Sequence, residues 1–167
     1  MWKTGFKLWG LLVLLLILTP SILAGISKPF SFTEFLRKSE DKKVLVKFDS
    51  SGCFHWYTNL FEFQGDLVTI YEIDRKRSKV RNHGYNETKK KLGALTLSAD
   101  DLEGLEHLFS FYEAKPRGGC TTVNRISLMQ PGSENDVARG YIDGSCGYGQ
   151  NEKVMSFWRL KQRLEKD

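Results

Sequence analysis

The chain has 167 residues, of which 25 are Lys or Arg, 20 are Asp or Glu, and 13% are aromatic. The formal charge of +5 includes Lys3 and Lys7 near the amino terminus, so residues 25–167 carry +3. A charge this small argues against a dedicated nucleic-acid-binding protein. The 143 residues from 25 to 167 are enough for one domain with a substantial core.

Residues 1–24 have the pattern of a secretory signal peptide. The segment 1–7 carries two lysines and no acid, and the 17 residues from 8 to 24 are uncharged and mostly apolar. Pro20 breaks the apolar helix shortly before the expected cleavage after Ala24. The sequence therefore predicts a periplasmic or secreted protein. The alternative is a retained membrane anchor, because about 17 apolar residues is the lower limit of a membrane span.

The next part of the chain predicts a short helix followed by antiparallel strands. Ser31 and Glu34 have the spacing of a capping box, which favours a helix over 31–38. Strands are predicted over 43–49, 54–63 and 67–73, because these runs alternate or are rich in β-branched and aromatic residues. The turns between them are short, so neighbouring strands are expected to pair antiparallel. The aromatic residues of this part, including Phe54 and Trp56, are expected to lie mostly in the core.

Residues 74–91 contain eight Lys/Arg and two acidic residues, with almost no apolar side chains. This composition predicts an exposed loop or the tip of a long, twisted hairpin. A run of this kind is commonly a solvated surface. The functional interpretation is electrostatic contact with an anionic lipid, lipopolysaccharide, a glycan or an acidic protein. The candidate binding residues are Arg75, Arg77, Lys79 and Arg81.

The second half predicts a strand over 92–97, a helix, two more strands and a final helix. Ser98 is the expected N-cap of the first helix, whose apolar face ends before Pro116. Strands are expected over 120–130 and 137–146, and a helix over 152–165 with Val154, Phe157, Trp158 and Leu164 inward. The order (α)βββ(β)αββα indicates one α+β domain over 25–167. It has an antiparallel sheet of five to six strands, with two main helices packed on one face.

The chain has three cysteines, at positions 53, 120 and 146. The turn cluster 131–136 centres on 133.5, so facing residues of its hairpin have numbers that sum to 267. Cys120 and Cys146 sum to 266 and should lie opposite one another, at a separation that suits a disulfide. Export would expose them to oxidising conditions. Cys53 is then a small buried apolar residue, or it pairs with one of the other two instead.

Cys53 and His55 support an enzymatic alternative. Two residues apart on a strand, their side chains would share a face and form a nucleophile–base pair or part of a zinc site. Four ligands would require Cys53, His55, Cys120 and Cys146 together, and no CxxC or HxxxH spacing supports them. His83 in the basic segment and His107 on the predicted helix are expected to be solvated.

Three short segments together resemble a pattern found in small uncharacterised exported bacterial proteins. They are Ser51-Gly52-Cys53-Phe54-His55, Gly118-Gly119-Cys120-Thr121-Thr122 and Asp143-Gly144-Ser145-Cys146. The resemblance implies a bacterial, extracytoplasmic setting and a structural role for all three cysteines. It implies no activity, cofactor or catalytic residue.

The sequence therefore favours a non-enzymatic binding module or envelope accessory protein, because no acid, base and nucleophile converge in it. No cofactor, metal or nucleic-acid partner is expected; the partner would be an anionic envelope component or a protein. The binding surface would be a sheet edge, the basic segment or the glycine-rich end near Cys146. The alternatives are a thiol- or metal-dependent enzyme centred on Cys53 and His55, and a membrane-anchored structural protein of the envelope.

Overall fold

A computed structural model describes residues 29–77 and 85–164 of the chain. The predicted signal peptide and His83 lie outside the described residues. The elements in chain order are α1 (Phe32–Lys38), β1 (Val44–Ser51), β2 (Trp56–Gln64), β3 (Leu67–Arg77), β4 (Tyr85–Thr96), α2 (Ala99–Glu113), β5 (Val123–Met129), β6 (Val137–Asp143), a 3₁₀ turn (Gly147–Gln150) and α3 (Phe157–Leu164).

The six strands form one antiparallel sheet in the order β4-β3-β2-β1-β5-β6. Strands β1 to β4 follow one another as a meander, and α2 then carries the chain back so that β5 pairs with β1. The order of helices and strands and the α+β class predicted from the sequence are both confirmed.

The alternation of side chains directs one face of the sheet into the core. Val44, Val46 and Phe48 of β1 are buried and point to the face that the helices cover. The helices add aromatic rings to the same core, with Phe32 stacked on Phe109 at 4.3 Å between ring centroids. Phe157 of α3 lies 4.7 Å from the ring of Phe61 on β2. Burial of these large side chains is the main contribution to the stability of the fold.

The long helix α2 begins at a complete capping box. The Ser98 hydroxyl accepts a hydrogen bond from the Asp101 amide at 3.1 Å, and the Asp101 carboxylate accepts one from the Ser98 amide at 2.8 Å. Asp101 also pairs with Arg163 of α3, so the same carboxylate joins two helices. Burial opposes ionisation of Asp101, but the hydrogen bonds from Ser98 and Arg163 outweigh it and lower the pKa of this carboxyl from its ordinary 3.8.

The last helix differs from its predicted extent. It begins at Phe157 rather than at residue 152, because the Ser156 hydroxyl accepts the Arg159 amide at 3.2 Å and acts as a cap. Val154 and Phe157 are buried as expected, but Trp158 was wrongly predicted to face inward and is 45% exposed. Leu160 takes the inward position instead.

Two aromatic residues of the first half are also not in the core. Phe54 is fully exposed and Trp56 is 50% exposed. The predicted strand over 54–63 begins two residues later, at Trp56, so Phe54 lies in the connection between β1 and β2.

Candidate functional site at one end of the sheet

Three segments that are distant in the sequence meet at one end of the sheet. The carboxyl ends of β1, β3 and β6 and the amino ends of β2, β4 and β5 all lie there, because every neighbouring pair is antiparallel. The segments 51–55, 118–122 and 143–146, which carry the resemblance described above, are therefore neighbours in space. We call this region the hairpin end.

The connection between β1 and β2 is a tight turn with Cys53 and Phe54 at its tip. The last strand pair is Ser51 with Trp56, and the Gly52 amide donates to the His55 carbonyl at 2.9 Å. Turns usually place Gly, Asn, Asp or Ser at such positions. The geometry of the turn therefore does not account for a fully exposed phenylalanine at its tip.

The imidazole of His55 is held against the end of β1. Its Nε2 lies 3.1 Å from Oγ of Ser50, within hydrogen-bond distance. A Cβ atom on Gly52 would lie 2.6 Å from Cε1 of His55 and 3.1 Å from Oγ1 of Thr122. Glycine at 52 therefore allows the imidazole and the start of β5 to approach the turn closely.

On the β5–β6 side of the hairpin end, a disulfide joins the segment before β5 to the segment after β6. Cys120 and Cys146 are bonded, with 6.1 Å between their Cα atoms, so the predicted pairing is confirmed. The Cys120 amide also donates to the Gly144 carbonyl at 2.8 Å. A Cβ on Gly118 would lie 2.6 Å from Cα of Ser145, which is backbone and cannot move aside easily. The two chain segments are therefore in contact beside the disulfide.

A row of polar residues underlies the hairpin end. Ser50, Asn124 and Asp143 pair across β1, β5 and β6, and all three are buried. The Asp143 Oδ1 atom accepts hydrogen bonds from the amide and the hydroxyl of Ser145, at 2.8 and 2.6 Å. Among the described residues, the Asp143 Oδ2 atom is the one buried side-chain oxygen or nitrogen without a hydrogen-bond partner. The row holds the turns above it by hydrogen bonds.

Aromatic rings continue from the tip along the helix-covered side. The imidazole of His55 lies 5.7 Å from the Tyr57 ring, which lies 6.2 Å from the ring of Trp158. The Nζ atom of Lys161 lies 5.8 Å from the ring centroid of Trp158. Together with Phe54 and Trp56, these rings give the hairpin end an aromatic rim.

The described residues of the basic segment lie in β3 and β4 and form a hairpin at this same end, which we call the basic hairpin (residues 74–77 and 85–91). Pairing between β3 and β4 continues for four residues beyond Ile73, which is the last residue of β3 paired with β2. Arg75 pairs with Glu87 and Arg77 with Tyr85, so both arginines lie in this extension. Lys79 and Arg81 lie outside the described residues. Four residues of strand correspond to about 13 Å, so the described part of this arm extends about that far beyond the last β2–β3 pair, toward the same end of the sheet as the Phe54 turn.

The structure changes the basis of the enzymatic alternative. Cys53 and His55 lie in a turn rather than in a strand, so the predicted alternation that placed them on one face does not apply. The Cys53 thiol is exposed rather than buried. The sulfurs of Cys120 and Cys146 are bonded to each other and are not available as thiolate ligands. Within residues 29–77 and 85–164, no group of three or more His, Cys, Asp or Glu is arranged to hold a metal ion.

Two sets of residues at the hairpin end were missed in the sequence. Phe54 and Trp56 were assigned to the core, because nothing in a run of aromatic residues marks where the turn falls. Ser50 and Asn124 could have been recognised from the sequence. Each places a polar side chain at an inward-facing position of a strand whose other inward-facing side chains are apolar. His107 was assigned correctly to the exposed face of α2, where its Nε2 lies 3.5 Å from the Glu103 carboxylate.

Comparison of the chain with models of known protein families, with curated proteins and with solved structures finds no match. In the part of the chain that the structure describes, no helix has both the length and the apolar character needed to cross a membrane. The interpretation of the hairpin end therefore depends on its own geometry and chemistry.

Proposed function

We propose that this protein is an exported, non-enzymatic binding domain that attaches through its hairpin end to an anionic lipid surface of the cell envelope. The observation that carries this proposal is the placement of a fully exposed Phe54 and a half-exposed Trp56 at the same end as the basic hairpin. The disulfide supports export, because such bonds persist in oxidising compartments.

The aromatic tip supplies the apolar part of the interaction. A phenylalanine side chain that is fully exposed to water makes no hydrophobic contribution to the stability of the fold. Its transfer from water to an apolar environment is favourable by about 1.5–3 kcal/mol. Tryptophan and tyrosine rings favour the boundary between lipid head groups and acyl chains. Phe54 would insert, while Trp56 and Trp158 would lie at the level of the head groups. The Ser50–His55 hydrogen bond keeps the tip in one orientation.

The basic hairpin supplies the electrostatic part. Each Lys or Arg close to an anionic membrane contributes about 1 kcal/mol, and salt weakens this attraction. Arg75 and Arg77 lie in the extension of β3, and Lys79 and Arg81 follow them in the sequence. Lys89, Lys90 and Lys91 are exposed on the neighbouring strand β4. An apolar tip next to several cations matches an anionic interface better than it matches an uncharged glycan.

Co-sedimentation with lipid vesicles tests the proposal. The protein is mixed with phosphatidylcholine vesicles, with or without an equimolar amount of phosphatidylglycerol. We expect binding to the anionic vesicles only, and its loss in high salt. Phe54→Ser combined with Trp56→Ser should weaken binding by at least about tenfold, which corresponds to ~1.4 kcal/mol. Reversal of charge at Arg75, Arg77, Lys79 and Arg81 should do the same.

Each variant has a matched control on the same chain. Val137→Ser and Leu67→Ser remove exposed apolar side chains at the opposite end of the sheet, where β6 and β3 begin. Charge reversal at Arg37, Lys38, Lys42 and Lys153 changes the net charge equally at other exposed positions. Equal binding by the hairpin-end variants and the wild type would contradict the proposal, as would equal loss in the controls.

The enzymatic alternative rests on the exposed Cys53 thiol close to His55. Its test is the replacement Cys53→Ala, which leaves the hairpin end and its charges intact. Under the binding proposal, this variant attaches to anionic vesicles as the wild type does. A folded Cys53→Ala variant that lost a measurable activity of the exported protein would favour the enzyme instead.

A further inference from the structure

A groove lies along the outer side of β6, at the opposite edge of the sheet from the hairpin formed by β3 and β4. Its volume is about 640 Å³, and one wall is formed by residues 139–142 of β6. The other wall is the carboxyl-terminal end of α2 and the segment that follows it, which includes Lys115, Pro116 and Arg117.

The strand that forms the first wall has an unpaired side. In the sheet, β6 is the last strand and pairs with β5 alone. An edge strand presents a row of backbone N–H and C=O groups that can pair with another extended chain. A Cβ on Gly140, in the middle of β6, would meet no atom within 4 Å, so the face of the strand that lacks helices is open at this position.

The groove has an excess of positive charge. Its one carboxylate, Glu113, accepts hydrogen bonds from the Arg139 guanidinium and the Tyr141 hydroxyl, both at 2.7 Å. Burial and the neighbouring Glu113 raise the pKa of Tyr141, which keeps this hydroxyl a donor. The side chains of Lys115 and Arg117 have no ion-pair partner among the described residues, and they lie opposite the edge strand.

Apolar side chains alternate with the groove-facing residues along β6. Ile142 is 69% exposed and Val137 is 53% exposed. Ile142 pairs with Arg125 on the face that lacks helices, whereas Arg139 and Tyr141 point to the helix-covered face. A strand added to this edge would therefore place alternate side chains beside exposed apolar surface and beside the basic wall.

We propose that this groove binds an extended peptide segment of alternating acidic and apolar residues, which joins the sheet as a further strand beside β6. The main-chain hydrogen bonds of such strand addition provide affinity, and the alternate side chains provide specificity. The acidic side chains contact Lys115 and Arg117, and the apolar ones cover Ile142. The partner is thus a protein with an exposed acidic strand or an acidic extended tail.

Fluorescence anisotropy with a labelled peptide of four Glu-Val repeats tests this proposal. Two control peptides separate the contributions: the same peptide with alternate backbone amides N-methylated, and a peptide of four Lys-Val repeats. We expect saturable binding of the first peptide, binding at least about tenfold weaker after N-methylation, and none of the basic peptide. Equal binding of the N-methylated peptide, or no binding of the first, would overturn the proposal.

Surface variants locate the binding. Arg117→Glu and Ile142→Lys should each weaken binding of the Glu-Val peptide by at least about fivefold. Arg37→Glu is the matched control and should leave it unchanged. The variant with charge reversal at Arg75, Arg77, Lys79 and Arg81 should also bind as the wild type does, and loss there would place the peptide on the basic hairpin and contradict the proposal. A dimer in sedimentation that Ile142→Lys dissociates would show that a second copy occupies the edge instead.

Discussion

Oγ of Ser50 lies 3.1 Å from Nε2 of His55, so a serine that is 1% exposed holds the imidazole of an exposed histidine across the β1–β2 turn. The contact joins the polar row under the hairpin end to the aromatic tip above it. This hydrogen bond and the Gly52–His55 backbone hydrogen bond therefore restrain the turn that carries the tip. This arrangement suits an apolar anchor, because a rigid anchor loses little conformational entropy on binding.

The close approach at Gly52 leads to a first prediction. In Gly52→Ala the new Cβ would overlap the imidazole of His55, so the imidazole must rotate away from Ser50. We expect the free energy of unfolding to fall by about 1–2 kcal/mol, measured by urea denaturation. Gly119→Ala is the control, since a Cβ there meets no atom within 4 Å, and it should change stability by less than about 0.5 kcal/mol. Equal effects of the two variants would disprove the contact.

The disulfide leads to a second prediction. Cys120 and Cys146 are 26 residues apart. A disulfide that closes a loop of this length lowers the conformational entropy of the unfolded chain and stabilises the folded state by about 3 kcal/mol. Cys120→Ala combined with Cys146→Ala should therefore lower the free energy of unfolding by about that amount. Cys53→Ala removes an exposed thiol and should be neutral within about 0.5 kcal/mol. A reducing agent should destabilise the wild type and leave the double variant unchanged.

Neighbouring residues of α3 provide a third prediction. Phe157 is 1% exposed and contacts the rings of Phe48, Phe61 and Phe109, whereas Trp158 is 45% exposed. Phe157→Ala should lower the free energy of unfolding by about 3–5 kcal/mol because it leaves a cavity in the core. Trp158→Ala removes a larger side chain and should cost much less. The reverse order in thermal denaturation would contradict the position of α3.

Asp101 leads to a prediction about pH. Its pKa is lowered in the folded state, so the charged carboxylate stabilises the fold at pH values above the ordinary 3.8. This contribution is lost as the pH falls through the lower, folded-state value. Asp101→Asn should therefore reduce stability by about 1–3 kcal/mol at neutral pH, and the difference from the wild type should narrow below about pH 4. Asp100→Asn changes an exposed residue of the same helical turn and is the control, which should reduce stability at neutral pH much less than Asp101→Asn does.

The sequence predicted the β5–β6 hairpin closely, because its register depends on local features. The turn cluster placed facing residues at a sum of 267, and Asn124 with Asp143 and Ile126 with Tyr141 have that sum in the structure. The disulfide followed from the same arithmetic. The N-cap at Ser98 was equally predictable, since its hydrogen bonds are made within four residues.

The hairpin end was not predictable as a site, because its contacts join segments far apart in the chain. The approach of Gly52 to Thr122 depends on β5 pairing with β1 rather than with β4, and local periodicity carries no information on that choice. The exposure of Phe54 depends on the turn centre falling between residues 53 and 54. If the register were shifted by one residue, each aromatic side chain of β2 would point to the other face of the sheet.

The pairing of β5 with β1 also has a consequence for the order of folding. The Ser51 hydroxyl donates to the Val123 carbonyl at 3.4 Å, across 72 residues of chain. Contacts between such distant residues form slowly because closing the long intervening loop costs entropy, whereas the β1–β4 meander closes through short connections. We therefore expect β5 and β6 to join the sheet late. Until they do, the folding chain exposes the second edge of β1 and is most vulnerable to aggregation and to proteases during that interval.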